Sequence, residues 1–299
     1  MRPGKVAVIL NPTAGRNRAE SLWNDVSPKI KSHVGEVTLY ETTGKNSGVS
    51  LTQTAIREGA ATILAAGGDG TIHEVVNGLY GTEVGLAVLP IGTGNDFART
   101  IGIHNLDSAL HALIEGTTTM VDVIQWSREG DSFYAINVAG CGFDAEVAYR
   151  INSGFRWISG TGAYMAAIVQ VLCTYTAKRV TLIHDHGELT VEAMLVAVAN
   201  AQCYGGGMKI APLANISDGL LDIVVVQSVS KLEFLRTFPK VFAGGHLNHP
   251  RVLNFRTRSI KIEGSPDVLI LADGEHIGNC PVTFSIAPKK IKCCVPKNV

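Results

Sequence analysis

The chain has 299 residues, which is enough for about two ordinary domains with a buried core. Lys and Arg together number 26 and balance the 26 Asp and Glu, so the formal net charge is zero. A surface that binds nucleic acid normally needs an excess of basic residues. We therefore predict no nucleic-acid partner.

Six cysteines occur without the C-x-x-C spacing of zinc or redox sites, which predicts reduced structural thiols. No run approaches the roughly 18 apolar residues of a membrane-spanning helix. The apolar stretch Val6–Leu10 is too short for a signal peptide. We expect a cytoplasmic protein whose work at a membrane, at its inner face, is peripheral.

The first part of the chain alternates strands with helices. The predicted strands are Lys5–Leu10, Val37–Tyr40, Thr62–Ala66 and Leu86–Leu89. The predicted helices run to about Ile30, from about Val49 to Arg57, through Leu79, from about Phe97, and over Leu106–Glu115. This alternation is typical of a doubly wound parallel sheet, in which ligands bind beyond the carboxyl ends of the strands. We predict an α/β nucleotide-binding domain over residues 1–125.

After Asp122 the pattern changes to strands joined by turns. The predicted strands are Ser132–Val138, Arg179–His184, Glu188–Ala199, Leu220–Gln227, Ser259–Glu263, Val268–Ala272 and Val282–Ile286. Two helices, about Gly162–Tyr175 and Lys231–Phe242, interrupt them. Residues 126–299 are predicted to form a β-rich, sandwich-like domain, and the last residues are left free to pack back on the first. The short join predicts a cleft between the domains.

The segment Gly67-Gly68-Asp69-Gly70-Thr71 stands between an apolar strand and a helical pattern. A glycine-rich turn at a helix N-terminus offers backbone N–H groups and a positive dipole end to a phosphate. The carboxylate of Asp69 would oppose that phosphate by about 4 kcal/mol at about 4 Å in an effective dielectric of 20. A cation must therefore stand between them, and the segment predicts a nucleotide bound with Mg²⁺.

Neither G-x-x-x-x-G-K-[ST] nor G-x-G-x-x-G describes this loop. The chain instead resembles, over essentially its whole length, the diacylglycerol kinase catalytic family in its soluble bacterial lipid kinase branch, which is related to sphingosine and ceramide kinases. NAD kinases and phosphofructokinases share G-G-D-G-T, whereas the G-T-G-N-D-F-A-R run narrows the match to lipid kinases. The matching motifs are Asn11-Pro12-x-x-Gly15, G-G-D-G-T with Glu74, Pro90-x-Gly92-Thr93-Gly94-Asn95-Asp96-Phe97-Ala98-Arg99, Asp218-Gly219-Leu220-Leu221-Asp222 and Asp273-Gly274-Glu275.

The resemblance implies that ATP contacts four loops. The implied contacts are Asn11, Pro12, Thr13, Ala14, Gly15, Thr43, Gly68, Asp69, Gly70, Thr71, Ile72, His73, Glu74 and Thr93. Hydroxyl groups, amides and bare glycine backbone suit phosphate oxygens. Turn chemistry is the alternative for Asn11, Pro12 and Thr43, and an ordinary surface or core position is the alternative for His73.

The resemblance also implies that Asp69 and Asp96 hold the catalytic Mg²⁺, directly or through water. A helix N-cap is the alternative for Asp96, and the two roles are compatible. Asp122, between Val121 and Val123 in an apolar strand, is implied to join the same network. Its alternative is a buried salt bridge that holds the two domains together.

Two further carboxylates receive roles from the resemblance. Asp218 is implied to hold a second, structural Mg²⁺ with the backbone carbonyls near Asn215 and Leu220; an Asp-Gly turn that leads into a strand is the alternative. Glu275 is implied to accept the proton of a lipid hydroxyl. The alternative is a solvated residue beside an Asp-Gly hairpin.

These implications describe an ATP:lipid phosphotransferase, with diacylglycerol as the default acceptor in the cleft. Arg150, Phe155, Arg156 and Trp157 mix basic and aromatic side chains, which suits contact with a membrane surface, although a plain loop is the alternative. The alternatives for function are another lipid acceptor, a soluble acceptor such as NAD, and a catalytically silent nucleotide-binding regulator. A homodimer is left open.

Overall fold

The computed structural model describes residues 4–128, 130–154 and 161–297. The chain divides into two compact units. Unit 1 comprises Met1–Val123 and Ala287–Val299, and unit 2 comprises Ile124–Ile286. The last residues of the chain therefore belong with the first ones.

Unit 1 is an α/β structure. Its strands are β1 (Val6–Leu10), β2 (Val37–Glu41), β3 (Thr62–Gly67), β4 (Gly85–Pro90), β5 (Thr117–Val121) and β17 (Ile291–Val295). Its helices are α1 (Ala14–Asn17), α2 (Ala19–Val34), α3 (Ser47–Arg57), α4 (Asp69–Leu79), α5 (Asp96–Thr100) and α6 (Leu106–Ile114). In the described residues the strand order is β2-β1-β3-β4-β17-β5.

The sheet of unit 1 is parallel from β2 to β17. The central strands β1, β3 and β4 are apolar and buried over almost their whole length, as parallel strands covered by helices usually are. The predicted parallel α/β arrangement is thereby confirmed. β5 and β17 were not predicted, and they pair antiparallel to each other at one edge of the sheet.

Unit 2 is β-rich. Its strands are β6 (Ile124–Arg128), β7 (Asp131–Ala135), β8 (Val138–Gly142), β9 (Lys178–His184), β10 (Gly187–Ala199), β11 (Leu221–Gln227), β12 (Val252–Thr257), β13 (Ser259–Gly264), β14 (Leu269–Ala272), β15 (Glu275–Asn279) and β16 (Val282–Ile286). Its helices are α7 (Phe143–Gly154), α8 (Thr161–Thr174) and α9 (Lys231–Thr237), with 3₁₀ helices at Phe238–Ala243 and Gly245–Asn248.

All the strand pairs of this second sheet are antiparallel among the described residues. The path runs β15-β14-β8-β10-β9-β13-β16-β6-β7, and β11 and β12 branch from β10. Strands far apart on this path share one buried apolar cluster, which includes Ile270 of β14, Val196 of β10 and Trp126 of β6. The sheet therefore folds around its own core, and the predicted sandwich-like second domain is confirmed.

The other side of this sheet is covered by helices. Phe143 and Val147 of α7 and Phe234 of α9 share a second buried cluster with Leu195 of β10 and Val224 of β11. None of the described helices has the length and apolar composition needed to cross a bilayer. All six cysteines are free thiols.

Several elements of unit 2 differ from the sequence prediction, and strands β6, β12 and β15 were not predicted. The predicted strand Ser132–Val138 is divided between β7 and β8, and the predicted helix Lys231–Phe242 becomes 3₁₀ after Thr237. Pro239 lies at this change and has no N–H to donate to an α-helical partner. Helix α7 was not predicted, because its apolar residues follow only a weak helical periodicity.

Candidate active site

Four loops lie at one edge of the sheet of unit 1. Strands β1, β2, β3 and β4 are parallel neighbours, so the loops that follow their carboxyl ends leave from the same edge. These loops contain Asn11, Thr43, Gly68 and Thr93. The structure thus brings all four predicted nucleotide loops together.

Asn11 organises the loop after β1. Its side-chain oxygen accepts hydrogen bonds from the backbone N–H and the hydroxyl of Thr13, at 3.1 and 2.8 Å. Gly15 follows with φ of 60°, and a Cβ at this position would lie 2.5 Å from the carbonyl oxygen of Ile91. A glycine is needed here because the backbone passes so close to the loop after β4.

The loops after β3 and β4 are in direct contact. The carbonyl of Gly67 accepts the N–H groups of Ile91 and Gly92, at 2.9 and 3.1 Å. A Cβ on Gly92 would lie 2.4 Å from the Cα of Gly68. The glycines of G-G-D-G-T therefore serve loop packing as well as the approach of a ligand.

Helix α4 begins directly after this turn, with Asp69 as its first residue and Gly68 as its cap. The N–H groups of Thr71 and Ile72 both donate to the Gly68 carbonyl, at 3.0 and 3.1 Å. Their side chains are buried. Anion binding by this helix end would therefore fall to the backbone before Thr71.

Asp69, in the G-G-D-G-T motif, contacts the G-T-G-N-D-F-A-R run. Its Oδ1 accepts the backbone N–H of Phe97 at 3.1 Å, in the first turn of α5. Asp96 is the first residue of that helix and is only 4% exposed. The cap residue of α5 is Asn95, so the helix-cap alternative for Asp96 is wrong. Two carboxylates thus meet at one helix start, an arrangement that a cation would stabilise.

Asn95 received no role in the sequence analysis. It adopts a left-handed conformation with φ of 55°, which asparagine tolerates better than most residues. Its Nδ2 donates to the Gly92 carbonyl at 2.7 Å. Its Oδ1 is buried and accepts no hydrogen bond from the residues that the structure describes. This oxygen is a further candidate to face a ligand donor or a metal-bound water.

Glu74 holds the loop after β2 in place. Its two carboxylate oxygens accept the N–H groups of Asn46 and Gly48, at 2.8 and 2.7 Å, at the start of α3. Within the same loop the N–H of Thr43 donates to the hydroxyl of Ser47 at 3.1 Å. Glu74 therefore positions this loop through both of its carboxylate oxygens.

Asp122 is buried and paired with a residue that the sequence did not suggest. Its Oδ1 lies 2.9 Å from Nζ of Lys290, which immediately precedes β17. The alternative of a buried salt bridge is thus confirmed, but both residues belong to unit 1, so the pair does not join the two units. Asp122 was predicted to lie within a strand, but it lies between β5 and β6 and belongs to neither.

In unit 2, Asp273-Gly274 makes the turn between β14 and β15. Both residues have positive φ, 48° and 82°. The carboxylate oxygens of Asp273 accept the N–H groups of Ile136 and Asn137, at 2.9 and 2.8 Å. Glu275, the first residue of β15, is partly exposed. Asp273 is thus fixed to the backbone, and it divides the predicted strand into β7 and β8.

Two buried asparagines complete this polar region. Nδ2 of Asn200 donates to the carbonyl of Ile136 at 2.8 Å, and the carbonyl of Asn137 accepts the N–H of Asn200 at 2.9 Å. Oδ1 of Asn137 is buried without a hydrogen-bond partner among the described residues. A single asparagine within a strand pattern gives no sequence signal, so neither residue was predicted.

The segment Asn215–Leu220 forms a turn before β11. Oδ1 of Asp218 accepts the N–H of Leu220 at 3.0 Å, and its Oδ2 lies 3.7 Å from the guanidinium of Arg256. Arg256 also donates to Asp222 at 3.1 Å. Oxygen donors suit Mg²⁺, but Arg256 already supplies a cation. Within the described ranges no three His, Cys, Asp or Glu side chains are grouped to hold a metal.

Unit 2 also contains a partly open apolar cavity of about 70 Å³. It lies between the helical layer and strands β10, β11 and β12, and Phe143, Leu195 and Phe234 are among its lining residues. Asp144 also lines it. Burial raises the pKa of this carboxyl to about 7, although the Ala145 N–H and the Tyr204 hydroxyl oppose the rise.

Of the predicted group of basic and aromatic side chains, Arg150 lies within the described residues. Arg150 forms an ion pair with Glu146 at 3.0 Å, one helical turn away on α7. Phe155, Arg156 and Trp157 lie outside the described residues.

Comparison with known proteins agrees with this arrangement. Residues 5–126 match the diacylglycerol kinase catalytic domain, and residues 137–295 match the YegS C-terminal NAD kinase beta sandwich-like domain. A diacylglycerol kinase of Mycobacterium tuberculosis (strain H37Rv) is 30% identical over 300 residues, covering 99% of this chain and 96% of the relative. One from Bacillus subtilis (strain 168) is 30% identical over 297 residues, covering 98% and 97%. The chain belongs to the diacylglycerol kinase family.

Solved structures share the fold of this family member. A diacylglycerol kinase from Bacillus anthracis str. Sterne superposes with a TM-score of 0.74 and 25% identity, over 97% of this chain and 96% of that one. An NAD kinase from Archaeoglobus fulgidus, crystallised in complex with ATP, superposes with a TM-score of 0.54 and 12% identity, over 97% and 93%. Family membership makes the chain a kinase, and its relation to the NAD kinase is one of fold.

Proposed function

We propose that the chain is an ATP-dependent lipid kinase that phosphorylates the hydroxyl group of diacylglycerol or a related lipid. The observation that carries the proposal is the meeting of Asp69 with the first turn of α5, beside buried Asp96. Two carboxylates at the edge where four glycine-rich loops converge suit a metal–triphosphate ligand. A lipid acceptor is proposed because the similar proteins of Mycobacterium tuberculosis and Bacillus subtilis are named diacylglycerol kinases.

In this proposal the loops of unit 1 bind MgATP. Mg²⁺ would neutralise phosphate charge, and the residues that would hold it are Asp69 and Asp96, with the buried Oδ1 of Asn95 as an acceptor for its water. The close packing of Gly68 against Gly92 gives a rigid backbone surface for the phosphates. Asp122 takes a positioning role, because Lys290 already balances its charge.

Unit 2 would supply the acceptor side of the reaction. Glu275 accepts the proton of the lipid hydroxyl, and Asp273 fixes the turn from which Glu275 projects. The apolar lining of the cavity in the same unit suits part of an acyl chain. This cavity favours a lipid over a soluble acceptor such as NAD.

The test is transfer of labelled phosphate from ATP to a panel of acceptors. Diacylglycerol, a monoacylglycerol, a sphingoid base and phosphatidylglycerol are offered in mixed micelles, and NAD is offered in solution. We expect label in a chloroform-soluble product, with diacylglycerol preferred. Label on NAD alone, or ATP hydrolysis without transfer, would contradict the proposal.

A further inference from the structure

The segment Lys231–Ala243, which comprises α9 and the first 3₁₀ helix, exposes large apolar side chains. Leu232, Leu235 and Phe242 are 57%, 49% and 50% exposed. Ten large apolar residues are exposed in the described part of the chain, and three of them fall in this one short segment. Such clustering marks an interaction surface, whereas single exposed apolar residues need no explanation.

The opposite side of the same segment faces the core of unit 2. Phe234, Phe238 and Val241 line the apolar cavity. One side of the segment therefore packs within unit 2, whereas Leu232, Leu235 and Phe242 remain exposed. A segment that is apolar on both sides has a second surface to bury.

The segment is anchored at both of its ends. Ser230 and Glu233 form a capping box at the start of α9, and Nζ of Lys231 donates to the carbonyl of Cys173 at the end of α8. The carbonyl of Val241 accepts the N–H of Lys209 at 3.1 Å. These hydrogen bonds fix the segment in place, so its exposed apolar side chains form a defined surface.

The charges within this surface are mainly positive. Lys231, Arg236 and Lys240 are exposed among the apolar side chains. Glu233 is the one acid in the segment, and it is paired with Nε2 of His249 at 3.2 Å as well as with the helix cap. Apolar side chains interleaved with cations complement an anionic lipid surface, where the apolar groups enter the headgroup boundary and the cations meet the headgroups.

We propose that Lys231–Ala243 is the surface by which unit 2 docks on an anionic lipid bilayer. This surface lies over the apolar cavity, so a docked kinase presents that cavity to the layer that contains its acceptor. The significance of docking rests on the proposed lipid kinase function, whereas docking itself is measured without turnover.

The experiment is co-sedimentation of the full chain with vesicles of phosphatidylcholine, with and without added phosphatidylglycerol. We expect binding that needs phosphatidylglycerol and weakens with salt. The variant Leu232→Ala/Leu235→Ala/Phe242→Ala should bind at least about tenfold more weakly. The matched control is Leu39→Ala/Met120→Ala/Ile183→Ala, which removes three exposed apolar side chains elsewhere and should bind as the wild type does.

A second pair of variants tests the cations. Arg236→Gln/Lys240→Gln should lose most of the gain that phosphatidylglycerol gives, and Lys29→Gln/Lys31→Gln on α2 should keep it. If the triple variant does not fold, the single variants Leu232→Ala and Phe242→Ala are measured instead. Each should weaken vesicle binding by a smaller factor. Equal vesicle binding by the triple variant and the wild type would overturn the proposal.

Two further readouts separate the remaining outcomes. If the surface instead joins two copies of the chain, sedimentation velocity will show a dimer that the triple variant abolishes, without vesicle binding, and the proposal is wrong. Phosphate transfer to dispersed dioctanoylglycerol should be unchanged in the triple variant. If the wild type phosphorylates no lipid but binds vesicles through this segment, the proposed function fails and the docking surface stands.

Discussion

At the scale of single residues, the candidate site depends on carboxylates that differ in their surroundings. Asp273 accepts two backbone N–H groups, and Asp122 is paired with Lys290. Asp69 accepts one N–H beside buried Asp96, whereas Glu275 is partly exposed at the start of its strand. The carboxylates of Asp273 and Asp122 thus have structural partners that the sequence did not indicate.

Glu275→Gln tests the proton acceptor. Glutamine keeps the shape and one acceptor oxygen of the side chain but cannot accept the proton, so turnover should fall about 10²–10⁴-fold. ATP affinity should stay within a few-fold, because the nucleotide loops belong to unit 1. The measurements are the rate at saturating substrates and ATP binding on the same preparation. Near-normal turnover would mean that Glu275 is not the base.

Asp273→Ala is the comparison for that variant. It leaves the N–H groups of Ile136 and Asn137 without their acceptor, so the free energy of unfolding should fall by about 1–3 kcal/mol. If Glu275→Gln keeps near-normal turnover while folded Asp273→Ala loses it, the base role would move from Glu275 to Asp273.

Asp144 gives a prediction about pH. Its pKa in the folded protein, about 7, exceeds its ordinary value of 3.8, so the folded state binds this proton more tightly than the unfolded state does. Its contribution to stability is complete below about pH 3.8 and is lost as the pH rises through about 7. Relative to Asp144→Asn, the wild type should lose up to about 1.4 kcal/mol per pH unit across this window.

The measurement is urea unfolding of both proteins at several pH values between 4 and 8. Glu146→Gln, on the same helix but outside the cavity lining, is the control and should follow the wild type. Parallel curves for the wild type and Asp144→Asn would show that the carboxyl titrates normally.

Three of the residues that sequence reasoning missed share one property. Lys290, Asn137 and Asn200 gain their significance from partners that are distant along the chain. No local pattern marks such a pairing, whereas G-G-D-G-T is recognisable because its strand, turn and helix are contiguous. Local motifs could therefore be predicted, and the groups that hold them in place could not.

At the scale of elements, β1, β3 and β4 were predictable because each carries an apolar run that ends in a glycine-containing loop. β5 is polar and partly exposed along most of its length, and β17 alternates between buried and partly buried residues. Neither has the continuous apolar run by which the sequence identified β1 and β3. Their pairing depends on the return of the chain to unit 1, which only the tertiary structure supplies.

Removing β17 tests that return. β17 lies between β4 and β5, so a chain that ends at Ile286 loses an interior strand and the partner of Asp122. We expect loss of cooperative unfolding and of ATP binding. A chain that ends at Val295 keeps β17 and is the control. Normal ATP binding by the shorter chain would contradict the sheet order.

The turn Asn215–Leu220 tests the predicted structural metal. If Asp218 holds Mg²⁺, added Mg²⁺ should raise the melting temperature, since a ligand of the native state stabilises it. The measurement is made in an Asp69→Asn background, which removes one of the two predicted ligands of the catalytic Mg²⁺, and the rise should vanish on adding Asp218→Ala. No response to Mg²⁺ or to EDTA would mean that Arg256 alone closes this turn.

At the scale of the whole molecule, the proposed function assigns a different role to each unit. Unit 1 gathers glycine-rich loops and acids at the edge of a parallel sheet, and unit 2 combines an apolar cavity with the Glu275 turn and a cationic, apolar surface. The sequence signal for this division is the change from alternating helices and strands to consecutive strands near Asp122. The cavity could not be predicted, because its lining comes from helices and strands spread over the whole of unit 2.

The central claim is transfer of the γ-phosphoryl group of ATP to a lipid hydroxyl. The most direct measurement is incubation of the full chain with γ-labelled ATP, Mg²⁺ and diacylglycerol in mixed micelles, followed by chromatography of the lipid fraction. We predict labelled phosphatidic acid that requires Mg²⁺ and that falls about 10²–10³-fold in Asp69→Asn, which keeps the acceptor for the Phe97 N–H but loses the charge. An unlabelled lipid fraction, or equal labelling by Asp69→Asn, would contradict the account.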